Sequence, residues 1–544
     1  MTFGACPDWK SEARASKFPL TFPMNILRTA LALGNKAVCV SLILLAFFSG
    51  ASSSQTYYVD AVKGDDSRAG TGPRQAWKTI AKVNGHSFAN GTAILLKRDC
   101  RWNEHLVVPG SGLKFGNYGS GRKPMLDGAD VITGWVPDAG FIYIATVAHH
   151  YSVQVFQDAT RLTIASSYGV MTAGSCYFNS GTTTLYVWCT DNANPSTHAI
   201  EATVNFYSDG IDFNGKDNIT VDGIDEERAA FGFCFENTVG THVVTVSNCA
   251  LYDNDLRGID FGGYNDLQVT NALLDHDSVF NCREDEGIWF GNGTEVARYC
   301  YATGNYPDFR VGIRAVNCKY LHCTSVNPQH GSLNVEYERG YPQPTGTVVS
   351  NCWLQGGTSD PAVENRGANT TFACNVIIGN NTTDISAIRM YQPGINAHVY
   401  NNTIVANGSG YAIGVDSLVS GIFKNNIIVG VSGIGLLESD HSYHNPQWVS
   451  DYNDWRGTGG FQLARAHYFA RTHYSTLTAW TAVVGGEVHS ITSDPLFTNN
   501  YPNFHLRSGS PCIDAGTNVG LTTDFDGSSI VGVPDIGAYE YKSP

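Results

Sequence analysis

A short unit that repeats, too small to fold alone, constrains this chain more than any other feature. From residue 205 onward, apolar-x-apolar triplets recur between Asn- and Gly-rich turns. They are Ile259-Asp260-Phe261, Ile288-Trp289-Phe290, Ile313-Arg314-Ala315 and Val335-Glu336-Tyr337, then Val363-Glu364-Asn365, Ile388-Arg389-Met390, Ile413-Gly414-Val415 and Ile434-Gly435-Leu436. Their centres are spaced by a mean of 25 residues. A unit of that size buries its apolar face only by stacking on its neighbours, so a solenoid is expected. The 3.6-residue period of helical repeats is absent, and propeller blades are longer. A second strand recurs in step and aligns Cys249, Cys300, Cys352, Asn375, Asn402 and Asn426 in one column. The cysteines there read as small core residues and the asparagines as partners for turn backbone. His322 falls on the same column and reads as a satisfied core residue. The predicted fold is all-β, a parallel β-helix.

The ends of the chain sharpen that expectation. Tyr57-Tyr-Val-Asp-Ala-Val-Lys-Gly-Asp-Asp, Ala76-Trp-Lys-Thr-Ile and Asp209-Gly-Ile-Asp-Phe stand near the start. Ser493-Asp-Pro-Leu-Phe, Gly509-Ser-Pro-Cys-Ile-Asp-Ala-Gly and Pro534-Asp-Ile-Gly-Ala-Tyr-Glu-Tyr stand near the end. Together they resemble secreted bacterial right-handed parallel β-helix proteins of the pectate-lyase-like superfamily. The resemblance implies opening coils over 55–130, a helix core over 205–440, and C-terminal coils with a closing module over 441–544. Residues 131–204, with Trp135 and Trp188, read as a β-rich insertion. The segment 475–484 is the best short helix. The resemblance specifies fold more than reaction, because the superfamily holds polysaccharide lyases, glycosidases, epimerases and proteins without known activity.

Charge and leader narrow the function. The chain carries a net charge of −15, or −18 without residues 1–54, which opposes binding to phosphate backbones. After Met24, basic Arg28 and Lys36 precede an apolar run from Ala37 to Phe48 and then Ser-Gly-Ala-Ser-Ser-Ser. That is the layout of a secretory signal peptide, too short to span a bilayer. Residues 1–23 read as an over-extended start. A secreted protein is expected, extracellular or periplasmic, monomeric and free of the membrane once the signal is removed. Export permits disulfides, and Cys176 and Cys189 flank one hairpin turn. A bridge between them and two unlinked thiols both stay open.

Alternation places the centre of each triplet on the outer surface, one above another at about 4.8 Å. The expected column is Asp260, Trp289, Arg314, Glu336, Glu364, Arg389, Gly414 and Gly435. Trp289 and Asp260 suit a sugar ring and its hydroxyls. Glu336 and Glu364, on adjacent coils about 5 Å apart, suit the acid and nucleophile of a retaining glycosidase. Arg314 or Arg389 suits a lyase acting on a uronate; no lysine lies in the column. The glycines would leave one end of the groove open. Against this stands a ladder of ion pairs, Arg314 with Glu336 and Glu364 with Arg389. The register at one coil also admits Asn334 in place of Glu336.

The preceding turns hold Asp253, Asp255, Glu284, Asp285 and Asp308. They are the candidate ligands for Ca²⁺, with solvated acidic turns as the alternative. Asp524-Phe-Asp-Gly-Ser resembles a calcium loop without its later Glu and reads as structural. His276 lies between two aspartates, and His149 and His150 lie in the insertion without evident partners. The leading expectation is a polysaccharide-degrading hydrolase or lyase that binds its glycan in the outer groove. A non-catalytic glycan-binding or surface protein and a structural matrix protein are the alternatives.

Overall fold

The structure is a computed structural model that describes residues 55–147, 153–203, 209–235, 240–262, 268–357, 359–380, 386–391, 393–407, 410–416, 419–430, 436–439, 448–457, 460–465, 470–499 and 502–543. Residues 1–54, read from the sequence as an over-extended start and signal peptide, and His149, His150 and Gly435 lie outside the described residues. Gln55–Pro544 forms one compact unit. Three parallel sheets of 13, 12 and 13 strands run along it among the described residues. One coil shows the plan: Gln268–Asp275 in the first sheet, Ser278–Phe280 in the second, Ile288–Phe290 in the third, then Val296–Arg298 back in the first. This is the parallel β-helix that the 25-residue repeat predicts.

Each coil turns its first corner at a residue with left-handed backbone. Asn248, His276, Tyr299, His322, Asn351, Cys374, Asn401, Asn425 and Tyr452 take φ between 51° and 61° there. Asn tolerates that region best among residues with a Cβ, which accounts for its recurrence. The next residue begins the inner column, read from successive backbone bonds as Cys249, Asp277, Cys300, Cys323, Cys352, Asn375, Asn402, Asn426 and Asn453. All six residues expected in that column are in it. His322 is not. It sits one residue earlier, where its ring stacks on Tyr299 at 4.9 Å and 12°. His276 continues the same stack from the other side and holds Asp275 at 2.8 Å.

The asparagines form a continuous ladder. Asn402 Oδ1 accepts from both the backbone N–H and the side-chain amide of Asn375, each at 2.9 Å. Asn402 in turn donates to Asn426 Oδ1 at 3.0 Å, and Asn426 to Asn453 at 3.0 Å. Buried turn amides are thereby satisfied without water. All cysteines among the described residues are free and buried. Cys176 lies opposite Val187 rather than Cys189, so the hairpin holds two unlinked thiols.

Modules pack on the coils. The insertion forms two small sheets around Val155, Leu185, Val187 and Ile200. Buried Arg228 ties it to the helix, bonding Asp127 and Glu201 at 2.6 Å each. Gln154 and Arg161 reach the corner at Asp253. The closing segment lays Phe497, Phe504, Leu506, Ile536 and Tyr539 on the outer face of the second sheet, against Val376, Ile378, Val405 and Ile427. Asp524 accepts the backbone N–H of Ser528 at 2.7 Å within that module, a structural role as expected. The predicted short helix is Leu477–Val484, capped by Thr476 and ended by Gly485 at φ 73°. Its Trp480 stacks on Phe461 and closes the core. Among the described residues no helix is long and apolar enough to cross a membrane.

Candidate functional site

The outer face of the third sheet carries the charged column, in a register that corrects the sequence reading at three coils. Parallel pairing runs Asp260, Trp289, Arg310, Asn334, Glu364, Arg389, Gly414 and Leu437. Arg310 replaces Arg314, Asn334 replaces Glu336, and Leu437 takes the position expected for Gly435. Two overlapping triplets compete at the first of these coils. Both triplets bury their apolar residues, but Phe309–Val311 forms the strand because Arg314 has left-handed backbone at φ 66°, which no strand accepts. The Arg314 guanidinium faces the Tyr341 ring at 5.2 Å instead. Likewise Leu333 and Val335 bury fully around Asn334.

A second outward row lies two residues further along each strand, as period-two alternation requires. It reads Gly262, Gly291, Gly312, Glu336, Arg366, Tyr391 and Asp416. The row explains Trp289. A Cβ on Gly262 would meet the indole ring at 2.7 Å, and one on Gly312 would meet its nitrogen at 2.6 Å. The missing side chains let the indole lie flat between them, only 2% exposed. Its face is covered by the Arg257 guanidinium at 4.0 Å. The expectation of an exposed sugar platform at Trp289 is therefore corrected. Asp260 is equally buried, with its carboxylate 2.8 Å from Arg257.

Arginines organise the acidic turns. Arg257 also bonds Asp285 at 2.8 Å and Glu286 at 2.6 Å. Arg283 holds Asp255 at 2.6 Å and Glu284 at 2.5 Å, and Arg161 holds Asp253 at 3.3 Å. Asp308 stands apart, fully buried and bonded to Ser325 and Asn305. The five carboxylates proposed for Ca²⁺ are thus taken up by Arg161, Arg257 and Arg283 and, for Asp308, by neutral partners. Among the described residues, no group of three or more His, Cys, Asp or Glu side chains comes together as a metal site would need. The physical reason is that arginines neutralise four of the five carboxylates and burial holds Asp308 on Asn305 and Ser325.

The expected carboxylate pair is also rearranged. Glu336, in the second row, is ion-paired with Arg310, which also bonds Glu286. Arg389 is buried and bonds Asp416 at 2.7 Å. A Cβ on Gly414 would meet the Arg389 chain at 2.6 Å, so that glycine accommodates Arg389 and does not open the groove. Ion pairs do form, but as Arg310–Glu336 and Arg389–Asp416 rather than the two expected from sequence.

Glu364 is different. It is half-buried in the first row and makes no hydrogen bond or ion pair to any described residue. Burial raises its pKa above 4.5; Arg366, His330 and Arg389 oppose the shift and Asp360 adds to it. Around it stand groups with unmet valence. Arg366 Nε and Asn334 Oδ1 are buried without a hydrogen-bond partner among the described residues. The Arg366 guanidinium lies over the Tyr391 ring at 4.5 Å, and Arg389 faces the same ring at 5.0 Å. His330 and Asp360, 2.9 Å apart, come from the turns on the opposite edge. A carboxyl inclined to keep its proton, beside a cation and an amide oxygen that are not fully hydrogen-bonded to described residues, is equipped to protonate an oxygen and hold hydroxyls. Sequence reasoning found Glu364 but missed Arg366, Tyr391, His330 and Asp360. Carrying the alternation one step past each triplet finds the first two; nothing in the sequence places His330 and Asp360.

Comparison with known proteins agrees with this architecture. No protein-family model matches the chain. A lacto-N-biosidase of Bifidobacterium longum subsp. longum is 22% identical over 598 residues, covering 90% of this chain. The chain spans only 36% of the length of that relative. The solved complex of XylC with xylose superposes with a TM-score of 0.52 at 10% identity, covering 89% of this chain and 98% of that one. Pectate lyase Pel9A gives a TM-score of 0.39 at 14% identity over 91% of this chain and 98% of its own. The superposition on XylC supports the fold.

Proposed function

We propose that this chain is a secreted glycan-degrading enzyme that binds an oligosaccharide or polysaccharide across the outer face of the third sheet. Glu364 acts as the general acid that protonates the glycosidic oxygen. The observation that carries this reading is a half-buried carboxyl that has a raised pKa and makes no hydrogen bond or ion pair to any described residue, set beside Arg366 and Asn334. A group poised in that way favours proton donation. Arg366 and Asn334 hold sugar hydroxyls, with the Arg366 guanidinium positioned over the Tyr391 ring. The lacto-N-biosidase likeness supports hydrolysis of a glycoside, and the leader over residues 1–54 supports export.

The Arg366 guanidinium, whose Nε has no hydrogen-bond partner among the described residues, favours a second reading, elimination at a uronate, in which that cation neutralises the sugar carboxylate. One experiment separates them. Purified protein is offered neutral oligosaccharides, including a lacto-N-bioside, and uronic polysaccharides, and both new reducing ends and ultraviolet absorbance are followed. Hydrolysis gives reducing ends alone; elimination also gives the absorbance of an unsaturated uronate. Glu364→Gln should lower turnover at least a hundredfold with an unchanged melting temperature. Full activity in that variant refutes the assignment.

A further inference from the structure

A cavity of about 520 Å³ lies away from this site, on the outer face of the second sheet at its first coils. Arg101, Arg122, Lys123, Asp225, Glu227 and Tyr252 are among its walls. Its volume is within the ~300–1,000 Å³ typical of small-molecule sites. Two features indicate what it takes. The first is an aromatic face. Tyr252 pairs with Glu227 on one side and Phe280 on the other. Phe280 stacks on one face of the tyrosine ring at 4.9 Å and 7°. The rung on the other side carries Glu227, not a ring, and Glu227 is drawn aside onto Arg101. The second face of Tyr252 therefore opens into the cavity, and a flat aromatic face suits the apolar face of a pyranose.

The second feature is charge. Three basic and four acidic side chains line the cavity. Lys123 is paired with Asp225 at 3.2 Å, and Arg101 with Glu227 and Asp127. Only the exposed Arg122 guanidinium has no hydrogen bond or ion pair among the described residues. An anion would meet a surplus of carboxylates, whereas hydroxyl groups find both donors and acceptors. We propose that this cavity is a second saccharide-binding site, which takes one or two rings of a neutral glycan. It stands independently of the Glu364 reading, because none of its residues belongs to that site.

The test uses the full chain carrying Glu364→Gln and Arg366→Ala, so that the first site is disabled. Saturation-transfer NMR is recorded with lactose, N-acetyllactosamine and xylobiose as neutral probes and digalacturonate as the anionic one. At least one neutral disaccharide should receive saturation, and adding Tyr252→Ala should reduce it at least fivefold. Arg122→Ala, at an exposed rim position that cannot upset folding, should reduce it at least twofold. Silence from every neutral probe overturns the proposal, as does a signal indifferent to both added substitutions or a stronger one from digalacturonate. If turnover proves insensitive to Glu364→Gln, the Glu364 assignment fails while these arms still decide the cavity.

Discussion

Replacing Asp308 by Asn tests whether the turn carboxylates are structural or metal-binding. Asp308 is fully buried. Its Oδ1 accepts from the backbone and side-chain N–H groups of Asn305 at 3.1 and 2.8 Å, and its Oδ2 from the Ser325 hydroxyl at 2.6 Å. Burial outweighs these bonds and lifts the carboxyl from 3.8 to about 7. Below pH 3.8 the group is protonated in the folded and unfolded chains alike. Between 3.8 and about 7 only the unfolded chain releases the proton, so stability falls as pH rises; above that range the whole cost remains. Three pH units at ~1.4 kcal/mol each amount to ~4 kcal/mol.

Asn cannot ionise, yet it offers Asn305 an acceptor and the Ser325 oxygen a donor. Asp308→Asn should therefore match the parent near pH 4 and exceed it at pH 8. For the unit Gln55–Pro544, an unfolding entropy of about 2.1 cal/mol/K per residue converts ~4 kcal/mol into a melting shift of roughly 4 °C. Differential scanning calorimetry at pH 4, 6 and 8, with calcium and with chelator, reads the result. A calcium ligand would give the opposite pattern, a less stable variant and a parent stabilised by calcium. Coincident melting curves at pH 8, or a lower one for the variant, would refute the burial argument.

Further outcomes follow from other residues. Because Glu364 must be protonated to act as an acid and its pKa is raised above 4.5, activity should decline along an alkaline limb above that pH. Arg366→Ala removes a cation that favours the ionised form, so it should move the limb upward and raise KM, both visible in a pH profile of kcat/KM. Gly312→Ala places a Cβ 2.6 Å from the Trp289 nitrogen and should cost about 1–3 kcal/mol, with altered tryptophan fluorescence. Asn402→Ala strands the Asn375 amide and the Phe372 carbonyl in the interior and should cost about 3 kcal/mol or more in denaturant unfolding. Titration with calcium should release no heat, since the turn carboxylates other than Asp308 are already neutralised by arginines.

What the sequence determined by itself is the solenoid and its inner column. Apolar alternation at 25-residue spacing leaves one way to bury every coil, and Cys249 through Asn426 fall where expected because an interior position accepts few residue types. The outward residues were legible only where one triplet was available. Glu364 and Arg389 stand where alternation puts them, since no rival triplet adjoins theirs. Tertiary structure alone decided the rest. Phe309–Val311 prevails over residues 313–315 because the neighbouring coils fix the register of the whole sheet, and a local pattern carries no information about that. The identity of each ion pair is equally non-local. Arg310 meets Glu336 and Arg389 meets Asp416 because side chains reach across coils to whichever carboxylate the turns present. By that same competition Glu364 makes no ion pair to any described residue, and only the folded chain could decide that.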